Sequence, residues 1–151
     1  MTENETITLI VSSIGVLISA LALLVSISSK KSSNASAEIS VYNTINSSKE
    51  KIMDCSKDVA KKDPSGSEDT EERKVKKQCF VVAMENHLNA YENACLQYLC
   101  RNVNRKRFKE TYSSEIQKLV ENPNTKKYYD SVSSKYQSTI KVYKKWFKKG
   151  A

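Results

Sequence analysis

Glycine, proline and histidine are all scarce in this 151-residue chain, which has three Gly, two Pro and one His. With so little glycine there is no loop to cradle a phosphate: G-x-x-x-x-G-K and G-x-G-x-x-G do not occur, nor do G-x-S-x-G and H-E-x-x-H. A single imidazole, His87, leaves little room for a Ser-His or Cys-His nucleophile. Glu71 and Glu72 sit together, but at a helix start, where they complement the dipole. The expectation is a protein that is not an enzyme and holds no cofactor. Scarce breakers, little β-branched alternation and abundant Lys, Glu, Ala and Ser predict an all-α fold.

Charge is missing in one place. Between Glu5 and Lys30 lie 24 residues, Thr6 to Ser29, without a charged side chain, and Leu, Ile, Val and Ala dominate them. A hydrocarbon core of about 30 Å needs roughly 20 helical residues. Residues 6–29 are therefore expected to form a single transmembrane helix, with 1–5 outside and 30–151 forming the aqueous domain. Ala35-Ser36-Ala37 resembles a signal-peptide cleavage site. Against export stand the absence of Lys or Arg before the apolar run, the length of that run, and Lys30 and Lys31 between it and the would-be site. Only Glu3 and Glu5 precede the span, while Lys30, Lys31, Lys49 and Lys51 follow it. Basic flanks stay in the cytoplasm. This predicts a single-pass protein of the inner (cytoplasmic) membrane, N-terminus outside and C-terminal domain cytoplasmic.

Four cysteines, Cys55, Cys79, Cys95 and Cys100, are then expected as reduced thiols. None forms C-x-x-C. A Cys3His zinc set with His87 is arithmetically possible but lacks paired ligand spacing, so core packing is the expectation and no metal site is assigned.

Within the span, steps of four and three from Thr8 meet Ser12, Gly15, Ser19, Ala22, Ser26 and Ser29, all small. Helices in lipid gain nothing by hiding leucine, whereas small residues let backbones approach closely. The seven-residue period matches a left-handed coiled-coil seam. These seven positions are the predicted self-association face, the partner being a second copy or another membrane protein.

After the span, periodicity predicts a helix over 35–60 with Ile39, Tyr42, Ile45, Ile52 and Val59 on its apolar face, able to continue directly from the span. Lys62-Asp63-Pro64-Ser65-Gly66-Ser67 marks a flexible loop over 62–69. Asp69 and Glu72 suit a capping box for the next helix, the most apolar of the domain, which runs to Leu99. A turn at Asn102 and Asn104 precedes a helix over 105–121. Asn122-Pro123-Asn124 stops it, and a last helix is expected over 125–148 with Tyr129, Val132, Tyr136, Ile140, Tyr143 and Phe147 on one side. The fold expected of residues 30–151 is an antiparallel bundle of about four helices.

All 25 Lys and Arg follow the span but only 15 of the 17 Asp and Glu do, so the domain carries a net +10. One basic cluster runs from Arg101 to Lys109. The other includes Lys144, Lys145, Trp146, Phe147, Lys148 and Lys149 and resembles an interfacial membrane segment; with Lys30 and Lys31 it forms the predicted membrane-lipid surface. Nucleic acid is the rival partner for such charge. No helix-turn-helix, zinc-finger or RNA-binding signature supports it.

Leu88-Asn89-Ala90-Tyr91-Glu92-Asn93-Ala94-Cys95, Tyr98-Leu99, Phe108-Lys109-x-x-Tyr112-x-x-Glu115-Ile116 and Lys141-Val142-Tyr143-Lys144-Lys145-Trp146 together resemble a group of small, uncharacterised bacterial proteins with one N-terminal span and a helical cytoplasmic domain. That resemblance implies architecture and no particular activity; by association only, it extends to phage-defence or toxin components. The function expected is a non-enzymatic membrane-anchored interaction protein that self-associates through its span. The alternatives are a membrane-disrupting effector and an exported or enzymatic helical domain.

Overall fold

The computed structural model describes residues 3–60, 70–130 and 134–148, with side chains from residue 14 onward. Among the described residues every regular element is a helix: α1 (Glu3–Ala60), α2 (Glu71–Leu99), α3 (Arg105–Glu121), α4 (Pro123–Lys126) and α5 (Gln137–Phe147). The chain divides within α1 into two compact units, Met1–Ser36 and Ala37–Ala151.

The length of α1 follows from composition, since no glycine or proline occurs between Gly15 and Pro64. Its many hydroxyl residues compete with the backbone only weakly, because they bond back along the same helix: Ser19 to the Gly15 carbonyl at 2.9 Å and Thr44 to that of Ser40 at 2.8 Å. From residue 14 to residue 33 every side chain is exposed. By length and composition this helix is long and apolar enough to cross a membrane.

In the second unit α1 buries Val41, Ile45 and Cys55, whereas Ile39 and Tyr42 are 62% and 57% exposed. Of the expected apolar face Ile45 is buried and Ile52 and Val59 are half-buried, while Ile39 and Tyr42 fall outside it because each residue step rotates a side chain by 100° and burial follows Val41 there. The main core joins Val41 and Ile45 to Tyr91, Ala94, Cys95 and Tyr98 of α2, to Phe108, Tyr112 and Ile116 of α3 and to Val142 and Tyr143 of α5. The α3 contributors recur every four residues, the spacing of one helical face.

Local chemistry sets the helix ends. Thr70 caps α2 by accepting from the Arg73 amide at 3.4 Å; Asp69, the expected cap, lies outside the described residues, as does the loop expected at 62–69. Helix α2 closes in a Schellman arrangement, with the Asn102 amide on the Gln97 carbonyl at 3.0 Å and the Arg101 amide on that of Tyr98 at 3.3 Å. Arg101 occupies the left-handed position usually given to glycine, φ 61°. The Asn104 side chain caps α3 through the amides of Lys106 and Arg107, both at 3.1 Å.

The single helix expected over 125–148 is two. Asn122 ends α3 and also caps α4 through the Asn124 amide at 2.9 Å, with Pro123 in the first turn. Thr125 then donates to the Leu119 carbonyl and Ser134 to the Tyr128 carbonyl, each at 2.5 Å, so side chains take over carbonyls that a continuing helix would use. Tyr129 and Tyr136 turn into a second small core with Leu88. Val132 lies outside the described residues.

Tyr136, at the start of α5, offers no side-chain cap. Glu92 of α2 supplies one from across the fold, accepting from the amides of Ser138 at 2.7 Å and Thr139 at 2.9 Å and from the Thr139 hydroxyl at 2.9 Å. Removing it leaves two amides of a buried turn unpaired. Glu92→Ala is expected to lower unfolding stability by about 2 kcal/mol, read from guanidinium unfolding of the intact protein in detergent through Trp146 fluorescence. The exposed Glu110→Ala should change it by no more than about 0.5 kcal/mol.

Candidate functional site

Helical spacing brings the ionisable side chains Lys49, His87, Tyr91, Glu115 and Lys118 to one open cleft of about 400 Å³. Helix α1 contributes Lys49 and Ile52, α2 contributes Met84, His87 and Tyr91, and α3 contributes Glu115, Lys118 and Leu119. Ile52 follows Lys49 by three residues, Met84, His87 and Tyr91 are spaced by three and four, and Lys118 and Leu119 follow Glu115 by three and four, so each helix turns one face to the cleft. Glu115 is the hub. One carboxylate oxygen takes the Lys49 ammonium at 2.6 Å, and the other accepts the Tyr91 hydroxyl. Burial pushes its pKa up, but the hydrogen bonds from Lys49 and Tyr91 outweigh burial and hold it below the ordinary carboxylate value.

His87 packs edge-on against Tyr91, ring centroids 5.0 Å apart, and its Nδ1 lies 2.9 Å from the Ser48 hydroxyl. Ser48 has one proton and gives it to the Ile45 carbonyl at 2.7 Å. The imidazole Nδ1–H therefore donates to Ser48, which leaves Nε2 as a hydrogen-bond acceptor. Burial, followed by the nearby Lys49 ammonium, lowers the His87 pKa despite the opposing Glu115 charge. Chemically, the cleft offers a neutral acceptor at His87, a neutralised Lys49–Glu115 pair, the Lys118 cation and an apolar wall of Ile52, Met84 and Leu119.

A second cleft of about 350 Å³ is mostly apolar, with Ile39, Tyr42, Phe108 and Tyr112 in its lining beside the polar Asn104 and Thr111. At its edge Glu38 of α1 accepts from the Asn104 amide at 2.7 Å and pairs with Arg107 at 2.8 Å, adding a second cap to the α3 N-terminus.

The predicted seam residues fall as follows. Gly15, Ser19, Ala22, Ser26 and Ser29 are all exposed on α1; Thr8 and Ser12 lie in the helix, but their side chains fall outside the described residues. Among the described residues, and apart from the adjoining helix backbone, nothing comes within 4 Å of a Cβ built on Gly15. The larger side chains of the same stretch are equally bare, from Ile14 at 50% to Val16 at 69% exposure.

The predicted lipid-facing residues divide. Lys30, Lys31, Lys144, Lys145 and Lys148 are exposed, Phe147 is 39% exposed, and Lys149 lies outside the described residues. Trp146 turns inward instead. Its ring packs against Tyr98 at 5.2 Å and Phe108 at 6.1 Å between centroids, and its indole N–H donates to the Tyr98 hydroxyl at 3.0 Å. Amphipathic α5 places Trp146 four residues after buried Val142, so the lysines around it frame a half-buried ring packed against the core. In the Arg101–Lys109 cluster, Arg105 lies 4.8 Å from the centre of the Tyr98 ring and Arg107 pairs with Glu38.

Among the described residues no group of three His, Cys, Asp or Glu side chains is placed to hold a metal ion. No protein family, characterised protein or solved structure matches this chain.

Sequence reasoning missed the cleft and the roles of Glu38, Glu92 and Glu115. Their partners lie 24 to 69 residues away, and no local pattern connects them. His87 gives a direct check, being the chain's only histidine and hence a single pair of imidazole C–H signals in NMR. Its midpoint should fall below the ordinary 6.5 and move up toward it in Lys49→Met. With the folded pKa lowered, the unfolded chain binds more protons below pH 6.5, so this contribution to stability is complete above 6.5 and declines as pH falls through the folded value. A midpoint at or above 6.5 contradicts the burial and charge assigned here.

Proposed function

We propose that this protein is a non-enzymatic, membrane-anchored interaction protein whose N-terminal helix both spans the inner membrane and self-associates. One observation carries the reading. Nine large apolar side chains between Ile14 and Ile27 are each at least half exposed along α1. Each would gain about 1.5–3 kcal/mol by leaving water, and nothing among the described residues covers them. A bilayer meets that demand over the whole circumference of the helix, which a one-sided protein partner does not.

Helix partners in lipid are chosen by close backbone approach. The small residues Gly15, Ser19, Ala22, Ser26 and Ser29 supply such a face, and Ser19 spends its proton on its own backbone. A hydroxyl already satisfied in this way suits a dry interface and does not call for a water-lined path, which favours self-association over the membrane-disrupting reading. The basic flank Lys30 and Lys31 and the net +10 of the following residues support an N-out orientation with a cytoplasmic domain. Exposed Lys144, Lys145 and Lys148 with Phe147 suit anionic headgroups, at about 1 kcal/mol for each lysine near the surface. The shared core of α1, α2, α3 and α5 is consistent with an antiparallel bundle of about four helices.

Gly15→Leu is the selective probe, because a Cβ added there meets nothing among the described residues beyond its own turn of helix. Crosslinking of the intact protein in native membranes should yield a dimer or higher band that Gly15→Leu reduces at least tenfold, while Leu17→Ala, off the seam, leaves it. Equal crosslinking in all three excludes the seam. Depolarisation of expressing cells that Gly15→Leu abolishes would favour the membrane-disrupting effector.

A further inference from the structure

We propose that Cys55 and Cys79 form a redox-modification site, a dithiol that a two-electron oxidant of the peroxide or small-disulfide class converts into an intrachain disulfide joining α1 to α2. Among the described residues only these two of the four cysteines have sulfurs side by side, 2.9 Å apart. A disulfide needs about 2.05 Å, so closure asks for a movement of less than about 1 Å, within the reach of a rotamer adjustment.

The two thiols are unequal in a useful way. Cys79 is exposed and Cys55 buried. The outer sulfur is the point of entry for an oxidant and the inner one is held in contact to resolve it. Cys55 keeps its proton, since its hydrogen bond to Cys79 and then burial raise its pKa above the ordinary thiol value. The remaining thiols are built differently. Cys95 is fully buried and burial pushes its pKa up to about 12, which leaves it inert, and Cys100 is exposed with no second sulfur beside it among the described residues.

With hydrogen peroxide the steps balance. The Cys79 thiolate attacks one peroxide oxygen; the O–O bond breaks, an S–O bond forms, and hydroxide leaves and takes up the thiol proton as water. The Cys55 sulfur then attacks the Cys79 sulfenic sulfur; the S–S bond forms, the S–O bond breaks, and the departing hydroxide takes the Cys55 proton. Two thiols and one peroxide give one disulfide and two waters. The product closes the chain across residues 61–69 and pins the end of α1 to the beginning of α2.

The test uses the intact protein in detergent micelles, reduced, desalted and treated with a slight excess of hydrogen peroxide or oxidised glutathione, then denatured in iodoacetamide and mapped by mass spectrometry. The expected result is a Cys55–Cys79 peptide lighter by two hydrogens and reversed by dithiothreitol, with Cys95 and Cys100 alkylated and the unfolding midpoint shifted to higher guanidinium. Cys55→Ser should accumulate a dimedone-reactive sulfenic acid at Cys79 that the parent protein does not. Alkylation of Cys55 and Cys79 as complete as that of Cys100, or Cys79 joined only to another chain, overturns the site; peptide mapping of the parent protein decides this even if the variant fails to fold. Finding the bond already formed in untreated cells under thiol trapping supports the couple while contradicting the cytoplasmic placement, so the two readings fail separately.

Discussion

A helix that is apolar around its whole circumference sets the terms for everything else in this molecule. Along Ile14 to Ile27 there is no charged side chain to turn toward water and no protein surface among the described residues to turn away from it. The helix is long and apolar enough to cross a membrane, and lipid is the surrounding medium proposed for it. Within lipid, leucine and isoleucine lose their value as recognition elements, and small residues become the distinguishing surface. On that proposal a row of Gly, Ser and Ala that would be weak in water becomes the face by which the helix is proposed to self-associate.

Beyond residue 36 the governing chemistry is different. A net charge of +10 spread over the residues after the span works against compactness by self-repulsion. The scarce carboxylates are placed to counter it where the backbone also needs them. Glu38 and Glu92 accept amides at the N-termini of α3 and α5, Glu115 ties α1 to α2 and α3, and Glu121 takes the Tyr143 hydroxyl at 2.6 Å. Each reaches a different helix from its own. Helix termini, charge balance and tertiary contact are thus served by the same few side chains.

That division explains what could be seen in the sequence. Helix α3 begins and ends at the residues expected, Arg105 and Glu121, because Asn104 and Asn122 are local signals that act within three residues. The continuity of α1 followed equally from the absence of breakers. The interruption between α4 and α5 did not, since no glycine or proline marks it; it arises from Thr125 and Ser134 bonding to carbonyls and from Tyr129 and Tyr136 burying against Leu88. Trp146 among lysines carried an interfacial pattern, yet its ring packs against the core because Tyr98 and Phe108 wait for it from two other helices. The cleft around His87 and Glu115 is a product of three helices meeting, and the separation of 66 positions between Lys49 and Glu115 hides it from any motif.

The central claim is that residues 6–29 lie within a bilayer, and extraction of membranes from expressing cells with alkaline sodium carbonate measures this most directly. Peripheral and soluble proteins are released by that treatment and spanning ones are not. The account predicts that the intact chain remains in the membrane pellet and floats with the lipid on a density gradient. Quantitative release into the supernatant, as a soluble assembly that buries Ile14 to Ile27 between copies, would contradict it.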